Sequence, residues 1–89
     1  MEQVKTFLIK NKLGLHARAA AKLVQAATQF KCRIYLEKDG MEVNGKSLLG
    51  ILTLACPKGS LLIVRAEGAD APEAIATLGQ LIDSKFDEE

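Results

Sequence analysis

"GLHARAAAK", residues 14–22, holds the chain's single histidine, with a glycine two residues before it and an arginine two residues after it. The alanines behind the arginine favour a helix. Before the glycine the pattern differs. "VKTFLI", residues 4–9, is short and rich in strand formers, which predicts a strand with Phe7 and Ile9 on one face. Gly14 permits backbone angles that other residues resist. The chain therefore changes from strand to helix across this stretch, with His16 at the helix mouth.

Working outward, Ala20, Leu23, Val24, Ala27 and Phe30 recur at three- and four-residue spacing. This predicts a one-sided helix from Ala17 to about Gln29. In "CRIYLEKDG", Cys32, Ile34 and Leu36 alternate with Arg33, Tyr35 and Glu37, a strand with one buried face. Asp39-Gly40 is a hairpin turn and "MEV" the return strand. Asn44-Gly45 turns again, Ser47 is an N-cap, and a short helix follows over residues 48–54. Ser60 to Glu67 reads as the last strand. "DAPE" opens the last helix, with Asp70 as N-cap, Pro72 in the first turn and Glu73 completing a capping box. Its buried stripe is Ala74, Ile75, Leu78, Leu81 and Ile82, and Gly79 weakens it by about 1 kcal/mol. The tail Phe86-Asp87-Glu88-Glu89 reads as a frayed acidic end. The order β-α-β-β-α-β-α makes an α+β domain spanning residues 1–89, with an antiparallel four-stranded sheet and three helices on one face.

Composition narrows the function. The chain has 89 residues, 48% hydrophobic, so one small aliphatic core is expected. Twelve basic against 11 acidic residues give a net charge of +1, without the basic stripe that a nucleic-acid binder uses against phosphates. The two cysteines, Cys32 and Cys56, form no paired spacing and read as free thiols in a reducing cytoplasm. With one histidine they make no metal site, and no cofactor is expected. No signal peptide and no stretch of membrane-spanning length is visible.

His16 carries the chemistry. At the N-cap, the N–H groups of Ala17, Arg18 and Ala19 have no intrahelical partner. They face outward at the positive helix end, where anions bind. Neutral imidazole is a nucleophile near pH 7. A phosphoryl group attacked there meets the free N–H groups, and Arg18 offers a two-pronged hydrogen bond to its oxygens.

"GLHARAAAKLV" resembles the active-site segment of the histidine-containing phosphocarrier family, HPr, of the bacterial phosphotransferase system. "NGKSLLGILTLACPKG" resembles its regulatory-serine segment, and "AEGADAPEAIATLGQLI" its closing strand-to-helix segment. The likeness covers almost the whole chain. It implies that His16 carries a phosphoryl group on Nδ1, given by enzyme I and passed to sugar-specific IIA proteins or domains. It implies that Arg18 is the active-site arginine, and that Ser47 is the residue that HPr kinase/phosphorylase modifies in many bacteria. Leu48 and Leu52 match an apolar docking patch, with Leu49 beside them. The family usually has proline where Ala19 stands; alanine adds an N–H to the anion site and removes a rigid ring. A cytoplasmic monomer without turnover of its own is expected. The implied strand order, first-fourth-second-third, sends Leu8, Tyr35, Leu61 and Ile63 to the open sheet face. It predicts an apolar stripe of Leu8, Ile63 and Tyr35 there.

Other readings weigh less. A carrier of the nitrogen-related branch shares the histidine chemistry and differs in partners. Regulatory modules controlled only through the serine lack the histidine. An acyl carrier wants Asp-Ser-Leu on an acidic helical protein, and here Lys46 precedes Ser47. A hydrolase has no recognisable serine or cysteine nucleophile.

Overall fold

The computed structural model describes residues 1–88. Along the chain run β1 (Glu2–Leu8), α1 (Ala17–Ala27), β2 (Arg33–Lys38), β3 (Met41–Asn44), α2 (Leu48–Thr53), β4 (Leu61–Glu67) and α3 (Ala71–Asp83), then a 3-10 turn over Lys85–Asp87. The strands form one antiparallel sheet in the order β1-β4-β2-β3. Element order and sheet order agree with the expected β-α-β-β-α-β-α fold. The two-residue loop Asp39-Gly40, both residues with positive φ (52° and 83°), joins β2 to β3 as a primed hairpin turn does.

Alternation sorts the side chains as expected. Phe7, Ile34, Leu36, Leu62, Val64 and Ala66 are buried on the covered face. Ala19, Ala20, Leu23 and Ala27 of α1 complete the core with Ile51 of α2 and Ala74, Ile75, Leu78 and Ile82 of α3. Gly79 has a packing reason: a Cβ there would lie 2.6 Å from the Phe7 ring. The glycine lets α3 approach β1.

Four expectations are corrected. First, α1 stops at Ala27 rather than near Gln29, because Gln29 and Phe30 donate to Ala26 and Ala27 three residues back, a tighter turn. Second, Asp70 occupies the N-cap position of α3 without capping it, so the capping box does not form. Its carboxylate instead accepts from the N–H groups of Lys31 and Cys32, both at 2.9 Å, tying the loop after α1 to the start of α3. The Lys31 bond above all holds this carboxyl below the usual range. Third, the open face carries no continuous apolar stripe. Ile63 pairs with Thr6 and Glu37, Tyr35 with Arg65, and Leu8 with Leu61, so the expected trio falls in three rows. Arg65 lies 4.2 Å over the Tyr35 ring and pairs with Glu2, Glu42 and Glu67. A charged network covers the middle of that face.

Fourth, the tail is not frayed over its described residues; Glu89 lies outside them. Lys85, Phe86 and Asp87 all have positive φ, 59°, 56° and 60°. Left-handed backbone costs about 1–2 kcal/mol for each ordinary residue. Phe86 is fully buried in the core cluster, its carbonyl accepts from Lys22 Nζ at 2.6 Å, and Asp87 and Glu88 donate back to Ser84 and Lys85. Large aromatic burial of this kind offsets the strain. Phe86→Ala is therefore expected to lower stability by about 3–5 kcal/mol in urea unfolding, the range for emptying a buried phenylalanine site. A loss below about 1 kcal/mol would show that Phe86 is not the anchor of this segment.

Candidate functional site

The site is built from the loop before α1. Asn11 accepts at its carbonyl from the Gly14 N–H, 3.1 Å, and Leu15 donates to the Cys56 carbonyl, 2.8 Å. Gly14 has φ of +68°, and a Cβ there would stand 2.4 Å from the Cys56 oxygen. Only glycine fits this approach, so Gly14 fixes where the loop meets the residues after α2 and hence where His16 begins α1.

His16 is the N-cap residue, with extended backbone (φ −77°, ψ −179°), and its side chain does not cap the helix. Its carbonyl accepts from Ala20, 2.8 Å. Among the described residues, no acceptor is found for the N–H groups of Ala17, Arg18 and Ala19. Ala17 and Arg18 are exposed and Ala19 is fully buried. The Ala19 methyl packs in the core cluster. Arg18 forms no ion pair among the described residues, so its guanidinium stands exposed beside the helix mouth.

The imidazole is only partly exposed, and one of its nitrogens is engaged. Nε2 lies 2.7 Å from Oε2 of Glu88. An ionised carboxylate only accepts, so Nε2 carries the proton and donates. The other Glu88 oxygen accepts from Nδ2 of Asn11, 3.1 Å, and the same Nδ2 donates to the Gly14 carbonyl at 2.6 Å. Burial alone would push the Glu88 carboxyl up. Hydrogen bonds from His16 and Asn11, with the charges of His16 and Arg18, outweigh it and hold the group below the usual carboxylate range. A lowered folded value means that this contact contributes stability above the ordinary glutamate range and loses it as pH falls through the lowered value. No described residue hydrogen-bonds to Nδ1.

Surroundings differ on the two sides of the ring. Lys12, Leu13, Arg18, Lys22, Asp87 and Glu88 line a shallow depression with three cations on its rim. Leu13, Leu15, Ala55, Cys56 and Pro57 line a mostly apolar hollow that His16 shares. Among the described residues, the arrangement offers an imidazole engaged at Nε2, a ring nitrogen with no partner, N–H groups with no acceptor and an exposed guanidinium, a set that can serve as a nucleophile beside an anion site. Among the described residues no group of histidines, cysteines and carboxylates is placed to hold a metal ion. Burial, chiefly, raises both cysteine thiols above their ordinary value. No described helix is long and apolar enough to cross a membrane.

Ser47 sits at the N-cap of α2 as expected, its Oγ accepting from the Gly50 N–H at 3.1 Å. The six residues of α2 bury Ile51 and leave Leu48, Leu49 and Leu52 exposed at 39%, 77% and 37%. This is the division that so short an apolar helix forces.

Asn11, Lys22, Phe86 and Glu88 were not legible as site residues. The one signal, and only for Phe86 and Glu88, is an aromatic residue just ahead of the acidic end, an unusual occupant for a frayed tail.

The family described as "PTS HPr component phosphorylation site" matches residues 3–84. The phosphocarrier protein HPr of Neisseria meningitidis is 46% identical over 80 residues, 90% of each chain. The crystal structure of HPr-C-His from Thermoanaerobacter tengcongensis superposes with a TM-score of 0.95 at 49% identity, covering 98% of each chain. The HPr-like protein Crh of Halalkalibacterium halodurans is 43% identical over 77 residues, 86% of this chain and 92% of its own. Fold, sequence and coverage agree over nearly the whole length: the chain belongs to the HPr family of phosphocarrier proteins of the phosphotransferase system.

Proposed function

We propose that this phosphocarrier receives the phosphoryl group on Nδ1 of His16 from phospho-enzyme I and hands it to IIA proteins or domains. The observation that carries this reading is the engaged Nε2 of His16 beside an Nδ1 to which no described residue bonds, at an open helix N-terminus. The Nδ1 lone pair attacks phosphorus while the donor's bond to phosphorus breaks and its electron pair stays with the donor. The incoming oxygens lie toward the N–H groups of Ala17, Arg18 and Ala19, and Arg18 pairs with them. Onward transfer is the same step reversed on a new acceptor. The chain is thus a stoichiometric relay intermediate rather than an enzyme with its own turnover.

Leu48, Leu49 and Leu52 form the docking surface in this reading, since an exposed apolar cluster on one short helix suits partner contact. Phosphorylation of Ser47 by HPr kinase/phosphorylase places about two negative charges at the N-terminus of α2. The helix end tolerates such charge, so the fold persists while an apolar docking surface becomes charged.

Three measurements test this reading. His16→Ala should keep its fold and lose all acid-labile label from phosphoenolpyruvate and enzyme I; undiminished labelling would exclude His16. Arg18→Ala removes one charge-assisted bond worth about 1.5–3 kcal/mol. In rapid-quench transfer it should slow the step by roughly ten- to a hundredfold, and an unchanged rate constant would remove Arg18 from the mechanism. Ser47→Asp should raise the KM for this protein with enzyme I while circular dichroism stays native. An unchanged KM would separate Ser47 from the docking surface.

A further inference from the structure

A long-range contact from β2 reaches the loop that frames His16. Lys38, the last residue of β2, extends its ammonium to the C-terminal end of α2, where Nζ donates to the carbonyls of Ala55, at 2.8 Å, and Leu54, at 3.5 Å. Carbonyls at a helix end carry partial negative charge and lack intrahelical partners, so a lysine there satisfies them. Ala55 is also the strained residue of this loop, with φ of +52°. Left-handed backbone is unfavourable for alanine and nearly free for glycine. Ala55 is exposed, so burial of its own methyl does not offset the strain. Buried Leu54 and Cys56 hold the chain on either side, and the Lys38 bond fixes the peptide between Ala55 and Cys56.

That peptide leads to the site. The next carbonyl, of Cys56, accepts from the N–H of Leu15 at 2.8 Å, and Leu15 is the residue before His16. A Cβ at position 14 would stand 2.4 Å from the same oxygen, so the two loops pack backbone to backbone. Ala55, Cys56 and Pro57 line the hollow that His16 shares. The charge of Lys38 is felt there: burial raises the Cys56 thiol, and Lys38 opposes the rise. We propose that Lys38 is a positioning residue for the phosphoryl carrier: its ammonium holds left-handed Ala55 in place and, through the Cys56 carbonyl and the Leu15 N–H, fixes the backbone from which His16 presents its ring to the incoming phosphoryl group. The inference rests on the relay reading above.

The strain at Ala55 makes the inference testable without touching His16 or Arg18. Lys38→Met keeps a long apolar stem and loses the bond. Ala55 is then free to relax out of its left-handed conformation, which moves the Cys56 carbonyl and loosens its bond to Leu15. With glycine at position 55 the same conformation needs little holding. Lys38→Met should therefore matter when alanine stands at 55 and hardly matter when glycine does. A lysine that served only overall stability would act alike in both backgrounds, and a double-mutant cycle separates the two cases. The docking leucines of α2 are not altered, so the loss should fall on the reacting step rather than on partner binding.

The experiment uses the full chain as parent, with Lys38→Met, Lys38→Arg, Ala55→Gly and the Lys38→Met, Ala55→Gly double variant. Steady-state transfer from phospho-enzyme I gives kcat and KM. Hydrogen exchange followed by NMR compares opening at the Leu15 N–H with opening at Val64, in the middle of β4. Lys38→Met should lose roughly three- to tenfold in kcat with KM unchanged, short of the roughly hundredfold cost of a full ångström of misplacement. It should also speed exchange at Leu15 more than at Val64. Added to Ala55→Gly, the same substitution should cost less than about twofold in kcat. Lys38→Arg keeps a cationic donor and should retain roughly half of the parental kcat or more. With a normally labelled parent, the positioning role is overturned, and the carrier reading stands, if Lys38→Met transfers at the parental rate, slows transfer equally in both backgrounds, changes KM alone, or speeds Leu15 and Val64 exchange by the same factor. A parent that takes no label on His16 overturns the carrier reading, and the positioning role with it.

Discussion

Asn11 is the one polar side chain buried completely among the described residues. Its two N–H bonds join the loop before α1 to the segment after α3, residues 77 apart in sequence. A buried amide is costly unless it is hydrogen-bonded; here Nδ2 is satisfied twice by groups that also define the site, while Oδ1 is buried with no partner among the described residues. Gly14 must present its carbonyl and Glu88 an oxygen. Moving either leaves a donor unpaired in a dry place, so the loop conformation and the His16 contact are set together.

The same constraint explains how a small domain tolerates three left-handed residues in a row. Nothing local favours Lys85, Phe86 and Asp87 at positive φ. The turn is stable because it does two long-range things at once: it sinks Phe86 into the core and brings Glu88 to Asn11 and His16. Burial is the larger effect in energy. The hydrogen bonds are the more directional effect, and they decide which way the carboxylate points.

This division marks what the sequence made legible. Period-two alternation placed Phe7, Ile34, Leu36, Leu62 and Val64 on the covered face, and the spacing of Leu23 and Ala27 placed α1. Local chemistry placed the Asp39-Gly40 hairpin, the Ser47 cap and His16 at the helix mouth. Those signals lie within a few residues of the feature they announce. Asp70 misled because its local pattern, a capping box, lost to distant backbone N–H groups at Lys31 and Cys32. Tyr35 and Ile63 misled because register decides which side chains share a row, and alternation alone does not fix register. Glu88 was out of reach for the same reason: its role depends on where Phe86 lands, and a single aromatic residue carries no period.

In the proposed relay, a carboxylate next to the phosphoryl site is at first sight self-defeating, since it repels the incoming oxygens. The geometry resolves this. Glu88 bonds to Nε2, so the imidazole stands between it and any group arriving at Nδ1. Arg18 is near enough to help hold the Glu88 charge down and exposed enough to face an anion. Lys12 and Lys22 share the rim of the same depression. The carboxylate's field on the phosphoryl side is opposed by these cations and by the open end of α1. On the Nε2 side it is unopposed, and in the proposed transfer that is the side where positive charge develops as the new bond forms. Attraction is thereby directed at the ring and screened from its cargo.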